Sequence, residues 1–185
     1  MSDSRARLFV ALELPPDVRA ALHAWAREQA AAVQHLRVVD PSSLHVTLCF
    51  LGSRPATEVG EIAAACRAVA SLAAPALTLG DGLWLPPRRP RVLTVDLADE
   101  AGRLAAIQSV LSDALVAEAW YESEARPFLA HVTVARVQRD ARVRPPQIPA
   151  PESVRFTGRH VTLYQSRLGQ GSARYEALAR VTLPP

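Results

Sequence analysis

Three tetrapeptides in this 185-residue chain place an imidazole two residues before a hydroxyl: His45-Val46-Thr47-Leu48, His131-Val132-Thr133-Val134 and His160-Val161-Thr162-Leu163. Side chains alternate across a strand, so in each copy the His and Thr share one face while the aliphatic residues enter the core. A single copy would be an ordinary half-exposed strand. Two of the three, however, recur inside a longer repeat: Leu8 precedes His45 by 37 residues and Val92 precedes His131 by 39. His160 follows a proline-rich stretch without such a unit and is read as structural. His23 and His35, with no hydroxyl partner, are read as surface residues.

Imidazole titrates near neutral pH, so of two facing histidines one can be a neutral base and the other a protonated acid. In-line displacement at phosphorus needs such an arrangement. The base takes the proton of the attacking oxygen, the acid protonates the leaving oxygen, and the Thr47 and Thr133 hydroxyls can donate to the non-bridging oxygens between them. Zinc is the rival use of clustered histidines. The chain has no His-x-x-x-His, no Cys-x-x-Cys and no acidic residue beside either motif, so no metal is expected. A glycine-rich phosphate loop and a nucleophile elbow are also missing, which removes the parts of an ATP-driven or serine-hydrolase mechanism. No cofactor is expected.

The elements that must hold these residues follow from periodicity. Residues 7–13 read as a buried strand, and Pro15 and Pro16 open a helix carrying Val18, Leu22, Trp25, Gln29 and Val33 on one side. Residues 44–51 form the first His strand, between the turn signals 40–43 and 52–55. Thr57 can cap a helix with the stripe Val59, Ile62, Cys66, Val69 and Ala73. The series then repeats. Residues 91–97 read as a strand, Asp99 as the cap of a helix carrying Leu104, Ile107, Leu111 and Leu115, and residues 128–135 as the second His strand. Stretches 85–91 and 142–151 are Pro- and Arg-rich connecting loops. Strands near 77–84, 154–165 and 174–183 complete a mixed α and β content with largely antiparallel pairing.

Composition narrows the setting. At 49% hydrophobic and 21% charged the chain can bury a core, and intrinsic disorder is excluded. No apolar run reaches the roughly 20 residues of a membrane-spanning helix, so no membrane partner is expected. The N-terminal apolar run is followed by Glu13 and two prolines and reads as a strand, not a signal peptide. Two cysteines, Cys49 and Cys66, are too few for a disulfide framework and fit a reducing cytoplasm. All 21 basic residues are Arg, and the net charge is +3. With a pI near 9.4, planar guanidinium groups tilt the expected partner toward phosphate.

These residues together resemble the 2H phosphoesterase superfamily, specifically its RNA 2',3'-cyclic phosphodiesterases, also called 2'-5' RNA ligase-like proteins. The similarity runs from Arg7-Leu8-Phe9-Val10-Ala11 through Leu44-His45-Val46-Thr47-Leu48 with Phe50-Leu51-Gly52, and through Arg126-Pro127-Phe128 to His131-Val132-Thr133-Val134-Ala135-Arg136. It continues in Leu163-Tyr164-Gln165-Ser166 and Tyr175-Glu176. The resemblance implies an α+β, bilobal fold, with two pseudo-symmetric lobes of largely antiparallel sheet, outer helices and a central cleft. The two motifs would lie one in each half of a single domain over 1–185.

It further implies hydrolysis of RNA 2',3'-cyclic phosphate ends to 2'-phosphate ends, with His45 as general acid to O3', His131 as the base for water, and Thr47 and Thr133 on the phosphate. Arg136 becomes a phosphate contact by the same similarity, although strand alternation would set it on the face opposite His131. Cys49 stands where the family often has a basic residue, and Ala130 where it often has Pro. Ligation to 2'-5' linkages, action on a small cyclic nucleotide, and a non-catalytic RNA-end-binding module remain as alternatives. A monomer is the default expectation.

Overall fold

The computed structural model describes residues 4–168 and 173–185. Among them, nine strands form one sheet. β1 spans Arg5–Glu13, β2 Leu36–Val38, β3 His45–Pro55, β4 Ala76–Leu85, β5 Val92–Ala98, β6 His131–Val137, β7 Arg155–Thr157, β8 His160–Leu168 and β9 Ala173–Thr182. Their order is β7-β4-β5-β6-β3-β1-β8-β9, with β2 also on β6. Every pairing is antiparallel.

The order is symmetric about its middle. On one side lie β3, β1, β8 and β9, on the other β6, β5, β4 and β7. Among the described residues only Val46 and Val132 pair across the seam. The expected two lobes are therefore two halves of one sheet joined through a single residue pair. Helices cross that seam: α1 (Pro16–Ala32) follows β1 yet packs on β2 and β6, while α3 (Arg103–Ala117) follows β5 yet packs on β3. The core is one cluster in which Leu8, Leu12, Leu22, Leu104, Ile107, Leu111 and Leu115 are completely buried. Burying each such side chain contributes about 1.5–3 kcal/mol.

Local sequence signals explain most boundaries. Pro16 starts α1 where its missing N–H costs nothing, and Val18, Leu22, Trp25 and Gln29 face inward as their spacing requires. Asp40 accepts from the Ser42 backbone at 2.8 Å and caps the 3-10 turn Pro41–Ser43. Asp99 caps α3 from farther out than expected: Gly102 is the capping residue, and Asp99 Oδ2 reaches the Ala105 N–H at 3.0 Å.

Other expectations are corrected. Thr57 does not cap; it lies within a 3-10 turn, Ala56–Glu58, before the short α2, Val59–Ala65. Residues 52–55, read as a turn, continue β3. The stretch 154–165 is two strands, not one, because the chain breaks pairing at Gly158: β7 pairs with β4 in one half and β8 with β1 in the other. The second His strand begins at His131 rather than 128. No helix among the described residues is long and apolar enough to cross a membrane.

Candidate active site

The two His strands are buried alike. From His45 and from His131 the pattern reads half-buried, buried, half-buried, buried, buried, exposed, buried. The consecutive buried pairs mark bulges. The pairing of β1 with β3 skips Leu48, and that of β5 with β6 skips Val134, the corresponding position. A bulge adds one residue and so reverses the alternation beyond it. That overturns the expectation for Arg136: the bulge returns it to the His131 side of the sheet, where it walls the main cleft together with His45 and Thr47.

Each imidazole is fixed the same way. His45 Nδ1–H donates to Ser43 O at 2.7 Å and His131 Nδ1–H to Leu129 O at 2.8 Å, the carbonyl two residues upstream in both cases. Holding the proton on Nδ1 leaves Nε2 of a neutral ring as the reactive nitrogen. The Thr47 hydroxyl donates to His45 Nε2 at 3.1 Å. The Val46/Val132 pair, extended one step each way, sets Thr47 opposite His131 and His45 opposite Thr133. The four predicted groups thus flank one residue pair of the seam.

The cleft beside it holds about 320 Å³ and is lined by Arg7, Phe9, Phe50, Arg37, Asp40, Ser43, Ser166 and Tyr175 in addition to His45, Thr47 and Arg136. Its lining does not include His131 or Thr133, which stand across the seam. Three guanidinium-bearing residues against one carboxylate, itself bonded to Ser42, make an anion site. Arg7 lies over the Phe50 ring at 5.0 Å, and Phe50 is 47% exposed.

The histidines differ in surroundings. His45 packs against Phe9 at 4.9 Å and edge-on to Tyr175 at 5.3 Å. Burial lowers its pKa to about 4, against the Ser43 carbonyl, which raises it; the Arg136 and His131 charges push it further down. His45 is therefore neutral at pH 7.

Acidic residues do stand beside both motifs, across the strands rather than along the chain. Glu13 pairs with His45 and Asp96 with His131. Both carboxylates are engaged elsewhere: Glu13 Oε1 accepts from Thr162 at 2.6 Å, Arg180 at 2.9 Å and Tyr164 at 3.2 Å, and Asp96 accepts from the Asp81 N–H. Among the described residues no group of three or more His, Cys, Asp or Glu could hold a metal ion.

The third His-Val-Thr copy has its own use. Thr162 is completely buried on Glu13, His160 meets Thr182 Oγ1 at 3.3 Å, and β1 separates β8 from β3. His23 Nδ1–H donates to Val39 O at 3.2 Å. Residue types alone missed Arg7, Phe9, Arg37 and Tyr175, which gather only through pairing of distant strands. The alternating positions 7 and 9 of β1 were the one available signal.

Residues 12–94 match the model of the LigT like phosphoesterase family. The chain is 33% identical over 148 residues to an RNA 2',3'-cyclic phosphodiesterase of Thermus thermophilus, covering 76% of this chain and 73% of that one. It is 30% identical over 185 residues to the RNA 2',3'-cyclic phosphodiesterase of Escherichia coli, covering 96% of each. A solved Thermus thermophilus chain superimposes with a TM-score of 0.83 at 27% identity, over 96% of this chain and 97% of that one.

Proposed function

Because the chain belongs to the LigT-like phosphoesterases of the 2H superfamily, we propose that it hydrolyses RNA 2',3'-cyclic phosphate ends to 2'-phosphate ends without a metal. The single observation that carries the reading is the matched pair of imidazoles, each pinned through Nδ1 to the carbonyl two residues upstream, on either side of the Val46/Val132 pair. The whole chain, 1–185, acts as one domain whose halves share helices across that seam.

In this reading His131 Nε2 takes a proton from water as the water oxygen bonds to phosphorus. The P–O3' bond breaks, and His45 Nε2–H gives its proton to O3'. The products are a 2'-phosphate and a free 3'-hydroxyl, and solvent carries the proton from His131 back to His45. Thr47 and Thr133 donate to the non-bridging oxygens, and Arg136 neutralises their charge. His45 must be protonated to serve, although burial alone leaves it neutral at pH 7. The phosphodiester anion supplies the opposite charge that raises its pKa, and the Thr47 hydroxyl, released from Nε2, turns to the phosphate. The substrate works as an RNA end in solution, and a cytoplasmic monomer suffices for it.

The neutral His45 favours a second reading on the same atoms, the 2'-5' ligation equilibrium. In its reverse direction O3'–H gives its proton to His45, O3' attacks the 2'-5' phosphodiester, and the 5'-oxygen departs with a proton from His131.

The test is incubation of purified protein, with chelator present, with an oligoribonucleotide ending in a 2',3'-cyclic phosphate, followed by identification of the product isomer. A 2'-phosphate product supports the reading. Near wild-type turnover by both His45→Ala and His131→Ala removes it, since one positioned acid or base contributes about 10²–10⁴-fold.

A further inference from the structure

On the outer side of the Pro41–Ser43 turn a second groove of about 410 Å³ runs along α1. Its wall is Arg19, His23 and Arg27, three basic side chains at i, i+4 and i+8, and its floor is the small residues Ala20 and Ala24. Ser42 closes it opposite the helix. No carboxylate lines it, and neither Arg19 nor Arg27 forms an ion pair among the described residues. The groove lies next to the reacting centre: Arg19 and Ser42 also border a separate small cavity of about 30 Å³ whose other walls include Glu13, His45 and Tyr175.

We propose that this groove carries the RNA strand upstream of the reacting end, with its backbone phosphates on Arg19 and Arg27. Residues four apart on a helix rise about 6 Å, comparable to the step between successive phosphates of an extended strand. Arg19 and Arg27 therefore fit phosphates two nucleotides apart, with His23 between them. The floor offers no aromatic ring, so the contact reads backbone charge and not sequence. Guanidinium forks suit the purpose because each can hold a phosphate through two N–H groups. The inference rests on RNA as substrate and adds the path of the strand beyond the terminal nucleotide.

Two substrates separate the groove from the chemistry: a nucleoside 2',3'-cyclic phosphate, which fills the cleft alone, and a pentanucleotide with the same cyclic end. Wild-type protein shows a lower KM for the pentanucleotide. In Arg19→Ala/Arg27→Ala that advantage is lost, with a KM increase of roughly tenfold and a log–log salt slope shallower by about 1.4, two single-strand contacts at about 0.7 each. The mononucleotide parameters hold and report an intact fold. Arg27→Glu alone moves the pentanucleotide KM in the same direction. Unchanged pentanucleotide KM and salt slope in both variants overturn the proposal and leave the cyclic phosphodiesterase reading standing. Should wild-type protein turn over neither substrate, the functional reading fails instead. Binding of a fluorescent pentanucleotide ending in a 3'-phosphate, by anisotropy, then decides the groove: affinity weakened in the double variant supports it, equal affinity refutes it.

Discussion

Phe50 and Arg136 occupy the same position in two copies of one strand: each is the exposed residue five places after a pinned histidine, just past a bulge at Leu48 or Val134. The halves of the protein are alike at His-x-Thr and unlike at this position. An aromatic ring answers a guanidinium. A symmetric grip on phosphorus becomes directional, since only one half can neutralise charge there and only the other can offer a flat apolar face.

Replacing the two residues therefore separates binding from chemistry. The exposed Phe50 ring, with Arg7 over it, is positioned to stack a nucleobase, a contact of about 1–3 kcal/mol. Phe50→Ala raises KM for nucleoside cyclic phosphates about 5- to 150-fold and leaves kcat within a few-fold, while Phe50→Trp retains KM. Arg136→Lys keeps the charge but loses the bidentate fork, so kcat/KM falls at least tenfold. Steady-state kinetics on one substrate measures both. A kcat collapse in Phe50→Ala would remove the stacking role.

The His45 ring supplies a pH signature. With a folded pKa of about 4 against an ordinary value of 6.5, the unfolded chain binds more protons than the folded one between those limits. Stability consequently rises with pH across this window and declines as pH falls from 6.5 toward 4, by at most about 3 kcal/mol. Denaturant midpoints show the slope, and His45→Gln flattens it. Ring-proton NMR of the empty protein finds the His45 midpoint near 4, moving upward on addition of inorganic phosphate. A midpoint near 6.5 before phosphate is added contradicts the burial argument.

Glu13 holds the aromatic wall behind His45 in place. Burial alone would raise its pKa, but the hydrogen bonds from Thr162 and Arg180, the Arg180 charge and the Tyr164 hydroxyl outweigh burial and leave it below 4.5. Such a carboxylate stabilises the fold above its unfolded pKa, and that stabilisation is lost as pH drops through the folded value. Glu13→Gln costs about 1–2 kcal/mol at pH 7. The difference in melting temperature from wild type narrows below pH 4.5. A difference independent of pH would mean that the carboxylate charge contributes nothing.

The histidines and threonines were legible in the sequence because a strand's alternation and an internal repeat are both local patterns. His45 and His131 could be paired by interval alone. Arg136 was misplaced because a bulge at Val134 leaves no mark in residue types: an extra Val in an apolar strand reads as more strand. Glu13 and Asp96 were overlooked because adjacency across a sheet depends on register, which distant pairing sets. The division of 154–165 into two strands hinged on Gly158, whose requirement comes from a residue nearly the whole chain away.

That residue is Leu12. Gly158 N–H donates to Pro75 O at 3.0 Å as the chain leaves β7 for β8. A Cβ on Gly158 would run into Leu12 Cδ2 and stand 2.9 Å from Leu12 Cγ. Leu12 cannot yield easily: it is fully buried, paired with Val46 on one side and Val161 on the other. Displacing it would disturb Val46, which pairs with Val132 across the seam. Gly158→Ala thus overpacks the core and destabilises by about 1–3 kcal/mol. Gly60, exposed on α2 with nothing within 4 Å of an added Cβ, is the opposite case. Gly60→Ala relieves a flexible helical position and stabilises by about 0.4–1 kcal/mol. Urea unfolding of the two variants checks the pair: midpoints shift in opposite directions for one chemical change, and a shared direction would show that Leu12 yields to the added methyl group.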